Sequence, residues 1–339
     1  MTRLNLLTDI AGISVGHATN LALGSGVTAV VFDKPTTASV AVLGGAPGGR
    51  DTQMLEPEYS VETVDALVLS GGSAFGLDAT GGAQAVLRAA GRGLAVGLTV
   101  RVPIVCQAIL FDLANGGNKD WGLVSPYWEM GLAAAQAAAP GAFTLGTVGA
   151  GTGATTAVVK GGLGSASAIT DQGFTVAALV AVNAIGSPLI GAGPWFWSAP
   201  YEVGEEFGDL GWPGTMPRDA LAPRFKSGPL RDGPGTATTI GIIATDAALT
   251  KAQCKRLAVM AHDGLARAVL PAHAPMDEDT IFAAATGALP LVNPNRDLTE
   301  LGHAATLVMA RAIARGVYEA TALPARGAQK SWRDLFAQA

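Results

Sequence analysis

The stretch Gly235-Thr236-Ala237-Thr238-Thr239-Ile240-Gly241-Ile242-Ile243-Ala244 decides the fold, because an irregular segment gives way in it to an apolar run. From Thr239 to Ala244 the run does not alternate apolar with polar residues, which is the pattern of a strand covered on both faces. The same near-continuous character recurs at Val27 to Phe32, Val40 to Leu43, Ala66 to Leu69, Ala177 to Val182 and Ile281 to Ala285. Ala-rich helical patterns separate these runs, so a layered α/β protein is predicted.

Three helices are well marked. Ser125-Pro126 reads as an N-cap with proline at the first helical position, and the run from Tyr127 to Ala139 stops at Pro140-Gly141. Thr250-Lys-Ala-Gln253 is a capping-box pattern, followed by Leu257, Met260, Ala261, Leu265 and Ala268 at helical spacing before Pro271. A third helix is expected from about Leu298 to Tyr318. No repeat of about 20 to 50 residues is present, which excludes solenoids and propellers.

Before the opening stretch lies a segment of a different kind. Pro188 to Pro234 holds eight of the 19 prolines, with Trp195, Trp197 and Trp212 and no sustained periodicity. Such a length without regular elements suggests a lid or a disordered connector. Glycine, 45 of 339 residues, is nearly twice as frequent as the usual roughly 7%, so tight turns and close backbone approaches are expected.

Composition narrows the function. Of 339 residues, 49% are hydrophobic and 14% charged, and 22 Lys and Arg against 27 Asp and Glu give a net charge of −5. That argues against a disordered chain and leaves no basic footprint for nucleic acid or an anionic membrane. Cys106 and Cys254 form no C-x-x-C pair, so neither a disulfide framework nor a zinc signature is read, and a reducing cytoplasm is expected. The N-terminus, broken by Asp9, does not read as a signal peptide. The longest uncharged stretch, Gly173 to Tyr201, is interrupted by Asn183, Pro188 and Pro194 and reads as strand plus loop, not as a membrane span.

Several constellations carry chemistry. A threonine hydroxyl becomes a nucleophile when a base stands beside it, and a free α-amine on the same residue, with a pKa of roughly 7.7 to 8.0, is such a base. Thr238 acquires that amine only if the Ala237–Thr238 bond is cut; by spacing alone, Thr238 and Thr239 read as ordinary strand-start residues. Asp277-Glu278-Asp279 places two carboxylates on one side of an extended segment, where they push their pKa values apart, although a solvated turn fits the same residues. His273 with Asp277 and Asp279 lacks metal-ligand spacing. Gly149-Ala-Gly151-Thr-Gly153-Ala154 matches a loose dinucleotide-binding pattern, but β-branched residues follow where a helix is required. What remains there is a Gly-rich wall and one cation, Lys160. Ser70-Gly-Gly-Ser73-Ala-Phe75-Gly76 misses the nucleophile-elbow spacing and reads as a strand-to-helix turn, and four histidines leave a Ser-His-Asp site poorly supplied.

Taken together, Leu7 to His17, Gly44 to Gly48, Leu69 to Leu77, Val148 to Ala154, Thr238 to Asp246 and Met276 to Phe282 resemble the DmpA-type peptidase family. These are the L-aminopeptidase D-amidase/D-esterases, with β-peptidyl aminopeptidases and nylon-oligomer hydrolases among them. The similarity covers essentially the whole chain, with its blocks in the family's order. It implies a four-layer αββα fold in one large domain and an N-terminal-nucleophile hydrolase that cuts itself at Ala237/Thr238. The products would be an α-chain of residues 1–237 and a β-chain of residues 238–339. Carried over by position, Thr238 is the nucleophile, Lys160 the lysine beside it and Asn183 an oxyanion donor, while Asp277 and Asp279 orient the Thr238 hydroxyl. No metal or cofactor is implied. Substrates would be short peptides, β-peptides or oligoamides, and the assembly a homo-oligomer, with a tetramer of processed protomers one form.

Two departures stand out. Ala237 occupies a position where nylon-hydrolase relatives commonly carry Asn, and Glu278 one where glycine is common. The first leaves open an unprocessed, non-catalytic precursor; an acyltransferase of the ornithine-acetyltransferase fold is a further alternative, using the same threonine with an amine in place of water.

Overall fold

The computed structural model describes residues 3–226 and 237–337. Its N-terminal half contains β1 (Ile13–Asn20), β2 (Ser25–Val42), β3 (Gly49–Arg50), β4 (Thr63–Ser70), α1 (Ala79–Ala89), β5 (Leu94–Val96), β6 (Val100–Val102), β7 (Val105–Ile109) and α2 (Tyr127–Gln136). There follow β8 (Leu163–Ile169), β9 (Thr175–Asn183), β10 (Thr238–Ala247), α3 (Lys251–Ala268), β11 (Thr280–Leu289), α4 (Pro294–Tyr318) and α5 (Trp332–Phe336).

The main sheet runs β3-β7-β4-β2-β11-β10-β9-β8, with β1 paired to β2 off that path, while β5 and β6 form a separate hairpin. β2 joins the two halves. Its Val27–Val31 part pairs with β4, and after an irregularity between Val31 and Thr36 its Thr37–Val42 part pairs with β11. Alternation along the strands then divides the apolar side chains among three cores. Val27, Ala29, Ala66 and Val68 pack against α1 and α2 through Ala83, Leu87, Tyr127 and Ala134. Val30, Phe32, Leu67 and Leu69 meet Leu179, Ala181, Ile240, Ile242 and Phe282 in the second core. Val180, Val182, Ile243, Ile281 and Ala283 pack on α3 and α4 through Leu257, Leu265, Met309 and Ile313. Three cores between helices, sheet, sheet and helices make the four-layer αββα arrangement; each fully buried side chain of this size contributes roughly 1.5–3 kcal/mol.

Several sequence expectations change in detail. Val27 to Phe32 and Val40 to Leu43 belong to one long strand, and β1, β7, β8 and α1 were not read. In β8 the residues are small, and a Cβ at Gly164 would overlap the Ala312 carbonyl of α4, so the glycine sets how closely that helix lies. Helix α4 starts earlier than expected, with Pro294 in its first turn, and α2 ends earlier, at Gln136. Ser125 does not cap α2; its hydroxyl donates to Asp78 Oδ2 at 2.6 Å. The capping box of α3 forms as read, with Thr250 Oγ1 accepting from the Gln253 N–H.

Of the Pro/Trp-rich segment 188–235, residues 188–226 pack against the helices, and residues 227–235 lie outside the described residues. Phe196 stacks on Trp332 and meets Phe207 edge-on, and Ser198 Oγ donates to the Ala310 carbonyl. Glu206 grips Arg311 of α4 through both carboxylate oxygens, at 2.5 and 2.8 Å, with both side chains buried. Among the described residues no helix is long and apolar enough to cross a membrane.

Candidate active site

Sheet pairing gathers the site. β10 begins at the fully buried Thr238, which lies opposite Asn183, the last residue of β9. On its other side β10 runs parallel to β11, and a bridge between Ala237 and Asp277 lays the segments leading into the two strands side by side. Thr238, Asn183, Asp277 and Asp279, far apart in sequence, thus meet at one end of the sheet.

The hydroxyl of Thr238 is held by an unexpected partner. Thr238 Oγ1 donates to Glu278 Oε2 at 2.7 Å, and the Phe111 N–H points at the same oxygen from 3.4 Å. The backbone N–H of Glu278 donates to the Ala237 carbonyl at 3.2 Å. Neither aspartate bonds this hydroxyl among the described residues, which corrects the expectation that the pair orients it. Asp279 instead accepts from the Thr239 N–H and the His273 N–H, both at 2.9 Å, and lies 2.8 Å from His273 Nδ1. Asp277 Oδ2 accepts from the Ala274 N–H at 3.1 Å. The reason is geometric: along the extended segment Asp279 is aimed at the Thr239 N–H and Asp277 at the Ala274 N–H, while the residue between them faces Thr238.

Burial dominates the electrostatics. It pushes the Glu278 carboxyl up to about 7, reinforced by the charges of Asp277 and Asp279 and opposed by the Thr238 hydrogen bond. Burial and Asp279 push Asp277 up in the same way. Lys160 is buried behind the Gly-rich wall, its Nζ donating to the carbonyls of Gly151 at 3.1 Å and Gly161 at 2.8 Å. Burial lowers it to about 7, against the opposing charge of Asp112. No hydrogen bond joins Lys160 to Thr238 among the described residues. A Cβ at Gly151 would overlap the Leu163 amide, so this wall forms only with glycine there.

Asn183 is a hub. One N–H of its amide donates to the Phe111 carbonyl at 2.9 Å, while Oδ1 accepts from Asn115 Nδ2 at 3.0 Å, the Thr155 N–H at 3.0 Å and Lys226 Nζ at 2.7 Å. Lys226 Nζ also donates to the Asn183 carbonyl at 2.9 Å, and burial brings it down to about 7. Asp112, fully buried, accepts from Ser25 Oγ at 2.6 Å and from the Gly72 N–H at 2.8 Å, and burial pushes its pKa up.

Sequence reasoning missed Asp112, Asn115 and Lys226 and noted Glu278 only as a departure from the glycine common at its position. A signal did exist for Asp112, a lone carboxylate in the apolar run Val105 to Leu113. The Ser70–Gly76 segment is the strand-to-helix turn expected of it, with Gly72 in the left-handed region at φ 89°. Burial lowers the pKa of both His17 and His262 to about 4.

The arrangement offers a hydroxyl held by a carboxylate, a peptide carbonyl one residue upstream held by an N–H, and an amide hub within the same buried end of the sheet. That is what acyl transfer to a threonine oxygen requires. Among known proteins, the chain is similar to aminopeptidases and amide hydrolases. An uncharacterised aminopeptidase of Mycobacterium bovis is 42% identical over 351 aligned residues, covering 98% of each chain. A 6-aminohexanoate-oligomer endohydrolase of a Kocuria species is 27% identical, covering 85% of this chain and 77% of its own. The solved L-aminopeptidase D-Ala-esterase/amidase of Ochrobactrum anthropi, described as a variant of the Ntn hydrolase fold, superposes with a TM-score of 0.68 at 20% identity. It covers 96% of this chain and 89% of its own. The profile of peptidase family S58 matches residues 5–331, and with a 42% identical relative spanning nearly the whole length, the chain belongs to peptidase family S58.

Proposed function

We propose that this protein is a self-processing amide hydrolase whose nucleophile is Thr238, acting on short peptides, β-peptides or oligoamides. The observation that carries the reading is the placement of Thr238, buried at the first position of β10, with its hydroxyl bonded to a carboxylate and the Ala237 carbonyl bonded to an N–H. Cleavage between 237 and 238 yields the α-chain of residues 1–237 and the β-chain of residues 238–339. In the processed protein the new α-amine of Thr238 takes the proton from its own Oγ, which attacks the substrate carbonyl. The departing amine leaves with that proton, and water then resolves the acyl-enzyme. Asn183 serves as an amide donor to the tetrahedral oxygen, while Lys160 fixes the Gly-rich wall through Gly151 and Gly161. Asp279 holds the Thr239 N–H beside the nucleophile, and Asp277 holds the turn at Ala274 that precedes it.

An open cleft of about 490 Å³, within the usual ligand-pocket range of roughly 300–1,000 Å³, is lined by Phe75, Leu113 and Trp121 together with Asp78, Lys119 and Asp120, and suits a substrate with both apolar and polar parts. Phe111 and Asn115, from the loop that also supplies Leu113, touch Thr238 and Asn183. Buried thiols at Cys106 and Cys254 suit the reducing cytoplasm inferred from sequence, and the exposed apolar side chains Leu94, Val96, Leu98 and Val100 of the β5–β6 hairpin suit a homo-oligomer.

The test is turnover of aminoacyl and β-aminoacyl p-nitroanilides and of 6-aminohexanoate dimers, with and without an added acceptor amine. We expect amide hydrolysis by the processed protein and none by Thr238→Ala. A product formed only with the acceptor amine would favour the acyltransferase instead.

A further inference from the structure

Self-cleavage presents a problem that turnover does not. Before the 237/238 bond is cut, the nitrogen of Thr238 is a peptide nitrogen, with no basic lone pair and unable to accept the hydroxyl proton. The uncut chain therefore needs a second base within reach of Oγ1, and Glu278 Oε2 lies 2.7 Å away. The same residue also holds the other reacting group, since its backbone N–H donates to the Ala237 carbonyl at 3.2 Å. One residue thus touches both the attacking hydroxyl and the carbonyl under attack.

Resting on the Thr238 reading, we propose that Glu278 is the general base of maturation, and that its backbone N–H stabilises the oxyanion formed on Ala237. The Thr238 Oγ–H proton passes to Glu278 Oε2 as Oγ1 bonds to the Ala237 carbonyl carbon. The C–N bond then breaks, the Thr238 nitrogen leaves with the proton returned by Glu278, and an ester joins Ala237 to Oγ1. Water hydrolyses that ester, releasing the Ala237 carboxylate and restoring the hydroxyl. Glu278 thus serves the first reaction and the liberated α-amine all later ones. The scheme also removes the difficulty raised by Ala237: its carbonyl receives a hydrogen bond from the Glu278 backbone and needs no neighbouring side-chain amide.

The surroundings make this base sensitive to pH. Glu278 is faced by Asp277 and Asp279 on its own segment, Asp279 is paired with His273, and Lys226 approaches Asp277 from the loop beside Asn183. Burial and the two aspartates set its pKa near 7, so its basic form, and with it the cleavage rate, grows as pH rises through neutrality and levels off above it.

The experiment follows cleavage of freshly expressed protein by intact mass from pH 5.5 to 8.5, for wild type, Glu278→Gln, Glu278→Gly and Thr238→Ala. Glutamine keeps the shape and removes the base alone, while glycine keeps the backbone N–H and removes the base together with its side chain. We expect each to cut about a hundredfold more slowly than wild type, the lower end of general-base contributions, and to lose the rise through neutral pH. A wild-type rate in either folded Glu278 variant, or a wild-type profile flat across the range, overturns the assignment of the base while leaving Thr238 in place. An uncut wild type, or a Thr238→Ala protein cut at 237/238, overturns the Thr238 reading and the proposal with it.

Discussion

At the scale of single residues, the site divides into groups visible in the sequence and groups that needed the fold. Thr238, Asn183, Asp277 and Asp279 stand in recognisable stretches and do converge, because strand ends meet at one end of a sheet. The partners chosen by each side chain were not legible. Whether the first, second or third residue of Asp277-Glu278-Asp279 reaches Thr238 depends on the register of β10 against β11, which composition does not encode. Asn183 yields a prediction at this scale. It sits opposite Thr238, and removing one oxyanion donor typically costs about 10²–10³ in kcat. Asn183→Ala, measured on processed protein, is expected to lose kcat on that order with a much smaller change in KM. A change confined to KM would contradict the oxyanion role. Turnover by wild type should rise with pH to roughly 8, where the α-amine is deprotonated.

At the scale of elements, apolar runs and capping boxes were legible because burial and hydrogen bonding mark them locally. β8 was not, since the small residues of Leu163-Gly-Ser-Ala-Ser-Ala-Ile169 are held as a strand by pairing with β9 and admit the close approach of α4 at Gly164, both tertiary causes. The packing of 188–226 was not legible for a related reason. Proline and glycine suppress periodicity, yet Phe196, Phe207 and Glu206 anchor 188–226 on α4 and α5. Glu206 is the sharpest test of that anchoring. Glu206→Ala strands Arg311 in a buried position, and breaking one side of a buried pair costs about 3–5 kcal/mol. Urea unfolding of the variant should show a loss of that size; a loss below about 1 kcal/mol would mean that the segment is held mainly by its other contacts, among them the aromatic ones and the Ser198 hydrogen bond.

At the scale of the whole molecule, the four layers bury the start of β10, where Thr238 stands. β2 ties both halves of the sheet into one body, so the layers carrying Asn183, Thr238 and Asp279 form a continuous hydrogen-bonded frame. Non-alternating strands signalled the layering in the sequence, whereas the long shared strand did not, because Asp33-Lys34-Pro35 interrupts its apolar run and reads as a turn. The central claim is that this frame exists to present Thr238 as a nucleophile freed by cleavage. N-terminal sequencing together with intact mass of the purified protein, beside Thr238→Ala, tests it most directly. The account predicts a second chain beginning at Thr238 in the wild type and a single intact chain in the variant; an intact wild type, or a cut at any other bond, would contradict it.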